Sequence, residues 1–126
     1  MVQMQQKNKI IDLEKKRAAI LNSLLELWPV IAGSYGEIYR KCGKPNCWCR
    51  KGKGHPLRRV TWTDENRKSR TKAVSEKDKA SIIAAIENHR NYRRKLKKIV
   101  HIEEAIHQGL KNLMYEKIKK SWNREV

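Results

Sequence analysis

The sequence predicts an α+β fold that is mostly helical, with an antiparallel, coiled-coil-like helical hairpin and a small β-hairpin between its two helices. All three prolines lie between residues 29 and 56, and five of the six glycines lie between residues 33 and 54. Outside that middle segment, apolar residues recur in alternating steps of three and four, as in a heptad seam. Inside it, short runs alternate between apolar and polar residues, as strands do. We therefore divide the chain into an N-terminal helix at 1–32, a β-hairpin module at 33–75 and a long C-terminal helix at 76–126.

The first helix is predicted to run from about Gln3 to Trp28. Pro29 disfavours helical backbone at the residue before it, so the helix should end there. The predicted seam consists of Ile10, Leu13, Arg17, Ile20, Leu24, Leu27 and Ile31. Ile31 falls beyond the predicted end of the helix.

The middle segment predicts two or three antiparallel strands. Residues 37–41 and 57–63 flank a loop, residues 64–67 form a turn, and residues 68–74 follow it. Val60 and Trp62 alternate with polar neighbours, as in a hairpin with one buried face.

The second helix should start after a capping box formed by Ser75 and Asp78 and continue to about Ser121. Its predicted seam consists of Ile82, Ala85, His89, Tyr92, Leu96, Ile99, Glu103, Ile106, Leu110, Leu113 and Lys117. Such a helix is roughly 70 Å long and the first roughly 39 Å, so the first should cover only the part nearest the hairpin. We expect the seam from about Ile99 to Leu113 to pair with a second copy of the chain or with another protein. The alternative is a turn at Gly109 that packs the tail on its own chain.

Composition limits the classes of protein to consider. Of 126 residues, 39% are hydrophobic and 34% are charged, so a large core is not expected. The net charge of +17 favours a polyanionic partner, nucleic acid before an anionic membrane surface. The sequence shows neither a secretory signal nor a membrane-spanning run. We expect a cytoplasmic protein associated with the nucleoid or a ribonucleoprotein, with no membrane partner and no small-molecule substrate.

The three cysteines lie together at Cys42, Cys47 and Cys49, and His55 closes the same glycine- and lysine-rich segment. Three thiolates and an imidazole are a ligand set that Zn²⁺ takes in tetrahedral structural sites. The flanking lysines and arginines favour the thiolate forms. We therefore predict a Zn²⁺ site, with a redox pair or ordinary free thiols as alternatives. The spacing C-x4-C-x-C-x5-H leaves open whether His55 is the fourth ligand, because most structural sites use C-x2–4-C pairs.

The segment from 40 to 72 is strongly basic, with twelve cations opposed only by Asp64 and Glu65. Cations neutralise phosphates, and an aromatic side chain such as Trp48 can stack on an unpaired base. Trp48 could equally be a lid over the hairpin core, and the basic run at 90–98 could be an ordinary solvated helix face. The predicted nucleic-acid-binding residues are Arg40, Lys41, Lys44, Trp48, Arg50, Lys51, Lys53, Arg58, Arg59, Arg67, Lys68, Arg70, Lys72, Arg90, Arg93, Arg94 and Lys97.

The residues Gly33-Ser34, Tyr39, 42–49 (CGKPNCWC), 54–56 (GHP), Trp62 and Arg70-Thr71 carry a resemblance. Over roughly residues 33–98, the chain resembles a family of small uncharacterised prokaryotic proteins with a C-G-K-P-x-C-x-C…G-x-H-x-P zinc-knuckle-like motif. The resemblance implies a genomic context near mobile-element or recombination genes and no catalytic residues. It also supports including His55 in the motif.

The sequence shows no P-loop, no Gly-x-Gly-x-x-Gly and no Ser-His-Asp arrangement. We predict a non-enzymatic, zinc-binding accessory protein that binds DNA or RNA and is linked to a mobile element or recombination system. The alternative is a zinc-stabilised coiled-coil adaptor that mediates protein contacts. A third possibility is a small nuclease or recombinase subunit.

Overall fold

The computed structural model describes residues 2–123 and has two helices and one sheet. The helices are α1 (Val2–Glu26) and α2 (Lys79–Asn123), and the strands are β1 (Gly33–Arg40), β2 (His55–Thr63) and β3 (Ser69–Ala73). Two 3-10 turns lie at Trp48–Lys51 and Glu76–Asp78. The predicted α+β class, the two helices and the antiparallel sheet between them are confirmed. Helix α1 ends two residues earlier than expected.

The fold forms two compact units. One is Trp28–Asn91, and the other consists of the described residues of Met1–Leu27 and Tyr92–Val126. Helix α2 contributes its first turns to the former and its remainder to the latter. The three-part division of the chain stays a prediction.

In the first unit, the sheet has the order β1-β2-β3 with all pairs antiparallel. The register of β1 and β2 runs from Gly33 opposite Trp62 to Arg40 opposite His55. The sheet face that carries Val60 and Trp62 lies beside Ile31 and Ile82. Val60 is only 5% exposed, which agrees with the predicted alternation.

The turn between β2 and β3 is where the sequence predicted it. The Asp64 carboxylate accepts hydrogen bonds from the backbone N–H groups of Asn66 and Lys68, both at 2.9 Å, and from Arg70 Nε at 2.7 Å. Arg67 has φ 62°, a left-handed conformation that is costly for a residue with a Cβ.

The predicted cap of the second helix is also present. The Ser75 hydroxyl accepts from the Asp78 backbone N–H at 3.3 Å, and the Ser75 Oγ lies 3.0 Å from the Asp78 Oδ2. The 3-10 turn at this cap leads directly into α2, which continues through Gly109 without a break.

The predicted seams differ in their outcome. Every described position of the α1 seam, and Ile31 after it, is buried or half-buried. In α2 the predicted positions Ile82, Ala85, His89, Tyr92, Ile99, Ile106 and Leu113 are also buried or half-buried. The prediction for Leu96 was wrong, because this residue is exposed and Lys95 is half-buried in its place. Glu103, Leu110 and Lys117 are exposed in the single chain, and Ile102, Gly109 and Glu116 beside them are half-buried. These three positions lie in or beyond the part of the seam that we expect to pair with a second copy or another protein, so they stay a prediction.

Within the second unit, Gly109 lies against Ile10. A Cβ at Gly109 would stand 3.1 Å from Ile10 Cγ1. Arg17, seven residues after Ile10 in α1, interacts electrostatically with Glu103, six residues before Gly109 in α2. The expectation that the seam from Ile99 to Leu113 lacks an intramolecular neighbour was therefore wrong near Gly109. The coiled-coil geometry of the helices stays a prediction.

The buried core is small, as the composition indicated. Its members among the described residues are Leu24, Cys49, Val60, Ala85, Ile86 and Leu113. No helix within residues 2–123 combines the length and the apolar character needed to cross a membrane.

Candidate metal centre

The connection between β1 and β2 brings together all the predicted metal ligands. Cys42 follows the last residue of β1 by two positions, and His55 is the first residue of β2. Cys47 caps the 3-10 turn that contains Cys49. Because Arg40 and His55 are opposite each other in the register, the ends of the two strands hold Cys42 and His55 close together.

The four donor atoms lie within 4.8 Å of one another. The sulfurs of Cys42 and Cys49 are 3.5 Å apart, and the Cys47 sulfur is 3.1 Å from His55 Nε2. Ligand atoms around a tetrahedral ion of the size of Zn²⁺ are about 3.6–3.8 Å apart. The separations of the donor atoms would therefore change by up to about 1 Å on binding such an ion, and His55 belongs to the cluster.

The thiols differ in their surroundings. The Lys44 backbone N–H, together with the neighbouring Cys49 and Cys47 thiols, lowers the pKa of Cys42 from 9.0 to about 6. The Cys42 N–H donates to the Cys49 sulfur at 3.4 Å and lowers the pKa of Cys49, but burial and the nearby thiols outweigh it, so that pKa is raised. Cys49 is fully buried and Cys42 is exposed. Binding of a metal would therefore be accompanied by proton release from the cluster.

Gly54 allows the strand ends to approach. Its φ is +101°, and a Cβ there would be 2.6 Å from both the carbonyl carbon and the oxygen of Arg40. Gly43 also has a positive φ, +80°, but nothing lies within 4 Å of where its Cβ would be. Gly54 is thus required for both its conformation and its lack of a side chain.

Trp48 is 65% exposed, so it is not the lid over the hairpin core that was the alternative expectation. Its ring meets the His55 ring edge to face, with centroids 5.0 Å apart and an interplanar angle of 72°. The contact supports the imidazole from the side and leaves most of the indole open to solvent.

Most of the predicted nucleic-acid-binding cations are exposed. They include Arg40 at the end of β1 and every cation of the loop at 41–54 between the first two strands: Lys41, Lys44, Arg50, Lys51 and Lys53. Arg59, Arg67, Lys68 and Lys72 on the sheet and its turn, and Arg93, Arg94 and Lys97 on α2, are exposed as well.

Three of the predicted cations lie close to carboxylates within the chain. Arg70 pairs with Asp64 at 2.7 Å, and Arg90 pairs with Glu87 at 3.2 Å. Arg58 lies 3.8 Å from Glu37 and 3.9 Å from Glu76. Their charges are partly neutralised within the chain.

The sequence reasoning did not identify the role of Glu37. Its Oε1 accepts from the Tyr35 hydroxyl at 2.6 Å and from Lys79 Nζ at 2.7 Å, which links β1 to the start of α2. The hydrogen bond from Lys79 makes the largest contribution to lowering the pKa of Glu37, and the bond from Tyr35 lowers it further. The signal was the two-residue spacing of Tyr35 and Glu37, which places both on one face of a strand.

A family model described as "Domain of unknown function (DUF6788)" matches residues 9–84, more than half of the chain. The chain belongs to this family. The match includes all four candidate ligands and overlaps the part of the chain that carries the resemblance. No curated protein and no solved structure matches the chain. The prokaryotic and mobile-element context implied by the resemblance stays a prediction.

Proposed function

We propose that this chain is a zinc-binding accessory protein that binds nucleic acid and has no catalytic activity of its own. The observation that carries the proposal is the coincidence of two features in one loop. Four soft or borderline donor atoms lie within 4.8 Å of one another, and six exposed cations surround them. No acidic residue lies between Glu37 and Asp64.

Zn²⁺ suits the cluster because it accepts thiolate and imidazole ligands without a geometric preference of its own. The loop at 41–54 has little apolar content, and apart from Gly54 its only buried residue is Cys49. Binding of the metal would therefore supply much of the free energy that orders the loop.

The exposed cations of the ordered loop would contact phosphates. Each such contact releases counterions, so binding should weaken steeply as the salt concentration rises. The exposed cations on α2, Arg93, Arg94 and Lys97, offer a second basic surface. The mobile-element or recombination context is the setting in which we place this activity.

The test is the affinity of the zinc-loaded chain for labelled DNA and RNA at several salt concentrations. We expect a linear fall of the logarithm of affinity with the logarithm of salt concentration, and weaker binding after chelation. Affinity that depends on neither salt nor metal would contradict the proposal. Crosslinking in cells and sequencing of the attached nucleic acid would then identify the bound species.

A zinc-stabilised adaptor is a second candidate, favoured by the far end of α2. Leu110, Met114, Ile118 and Trp122 recur every four residues and are 45–82% exposed. Such a stripe fits a second copy of the chain or another protein. An adaptor would show weak binding to any polyanion, whereas its oligomeric state or partner capture would depend on Met114 and Ile118.

A further inference from the structure

We infer that the loop at 41–54 recognises unpaired nucleic acid by stacking a base on Trp48, and that it discriminates against the duplex. This inference rests on the proposed function and specifies its substrate class. The proposed ligand is a single strand of DNA or RNA, because both present unstacked bases on a phosphate backbone.

The backbone around Trp48 is held in place from both sides. The Cys47 N–H donates to the Lys44 carbonyl at 3.2 Å, and the Arg50 N–H donates to the Cys47 carbonyl at 3.2 Å. Arg50 Nη1 also donates to the Pro45 carbonyl at 3.2 Å. A pre-ordered aromatic ring loses little conformational entropy when a ligand stacks on it.

Trp48 forms one wall of an open groove. The other lining residues are Pro45, Asn46, Cys47, Arg50 and Lys51. The indole of Trp48 can stack on the face of a base, and the cations Arg50 and Lys51 can contact a phosphate. The side-chain amide of Asn46 can form hydrogen bonds with the edge of a base. A second aromatic, Tyr39, is 50% exposed near the same strand end and has Lys53 Nζ 5.8 Å from its ring centroid.

A duplex does not offer the same match. Its base faces are covered by neighbouring base pairs, and its major groove is read by a long helix or a two-stranded ribbon. The element at the loop is a 3-10 turn of four residues, Trp48–Lys51. Stacking on an exposed ring instead requires a strand whose bases are already free.

The experiment compares single strands and duplexes of about 12 nucleotides, within the usual site size of such binders, in both DNA and RNA. Zinc-loaded wild type should bind the single strand more tightly than the duplex at the same salt concentration. Trp48→Leu should weaken single-strand binding about 10- to 100-fold, the loss typical for one stacked base. Duplex affinity should change by less than about twofold, because the backbone contacts remain. Trp48→Phe should restore most of the single-strand affinity.

Trp28→Leu is the matched control, since Trp28 is 85% exposed and lies between α1 and β1, outside the loop. Metal content is measured for every variant. As a second measurement on the wild type, a strand containing 5-iodouracil is photocrosslinked and the attached peptide is identified. A crosslink to Trp48 supports the inference, and crosslinks found only elsewhere overturn it.

The outcomes separate this inference from the proposed function. One outcome is that binding of single strands and duplexes depends steeply on salt, while Trp48→Leu changes the affinity for neither or for both equally. This outcome overturns stacking and leaves the proposed function intact. Failure of both strand types to bind overturns both. If only DNA or only RNA shows the Trp48 effect, stacking stands and the sugar of the ligand is identified.

Discussion

Replacing Gly54 with alanine tests whether the close approach of β1 and β2 assembles the metal centre. Gly54 precedes the ligand His55 and lies against the backbone of Arg40, two residues before the ligand Cys42. An added methyl group would therefore push apart the two strand ends that hold Cys42 and His55 together.

The expected magnitude follows from two costs. A non-glycine residue at φ +101° is strained, at roughly 1–2 kcal/mol for left-handed backbone. The methyl group would also lie about 0.8 Å inside ordinary contact with the Arg40 carbonyl, an overpacking that typically costs about 1–3 kcal/mol. Together they amount to about 2–5 kcal/mol, which lowers metal affinity by at least about 25-fold if the strain arises on binding.

The loop contains its own controls. Gly43 has φ +80° with open space around its Cβ position, so Gly43→Ala should show only the conformational cost of roughly 1–2 kcal/mol. Gly52 has φ −128° and open space, so Gly52→Ala should be neutral or slightly stabilising. Competition with a chromophoric zinc chelator gives the affinity of each variant, and urea unfolding of the loaded proteins gives its stability.

The three variants should therefore rank, from least to most affected, as Gly52→Ala, Gly43→Ala and Gly54→Ala. If Gly54→Ala binds zinc as tightly as Gly52→Ala does, the strand ends do not depend on close backbone contact. The reasoning about how this centre is assembled would then be refuted.

Three further changes test other parts of the molecule. Cys47→Ser removes one of four ligands and should lower zinc affinity at least about 100-fold, so that a chelator destabilises wild type but no longer affects the variant. Unchanged metal content in the variant would argue against the site. Arg67→Gly should stabilise the loaded chain by about 0.5–1 kcal/mol in urea unfolding, because glycine relieves the φ of 62°; a loss of stability would show that the turn differs. Lys51→Gln should reduce the salt slope of nucleic-acid binding by about one unit, whereas Lys119→Gln on α2 should leave it unchanged. Equal slopes for both variants would mean that Lys51 contacts no phosphate.

The candidate ligands could be predicted from sequence because their chemistry is selective. Thiols clustered over eight residues are hard to explain without a common partner, and the glycines around them predict a tight loop. Their roles within the loop were less predictable. Gly43 and Gly54 adopt positive φ angles, whereas Gly52 does not, and spacing alone does not distinguish them.

The α2 seam shows where apolar periodicity reaches its limit. Counting apolar residues selected Leu96 and Leu110, yet their neighbours Lys95 and Gly109 are the half-buried residues. A lysine can bury its aliphatic stem, and a glycine admits a close neighbour such as Ile10, but neither contributes to a hydrophobic pattern. The sequence also did not indicate that the sheet unit includes the first turns of α2.

The positive charge on β3 also affects whether copies of the protein aggregate through the edge of the sheet. This strand is at the edge of the sheet, and all five of its residues are exposed. An exposed edge with unpaired backbone groups is a template on which further strands can add, which leads to fibre growth. Lys72 opposes such addition, because an incoming copy would bring like charges together, whereas the charge of Arg70 is partly neutralised by Asp64. An apolar substitution at Lys72 should therefore first appear as aggregation of the protein, even where the metal centre stays intact.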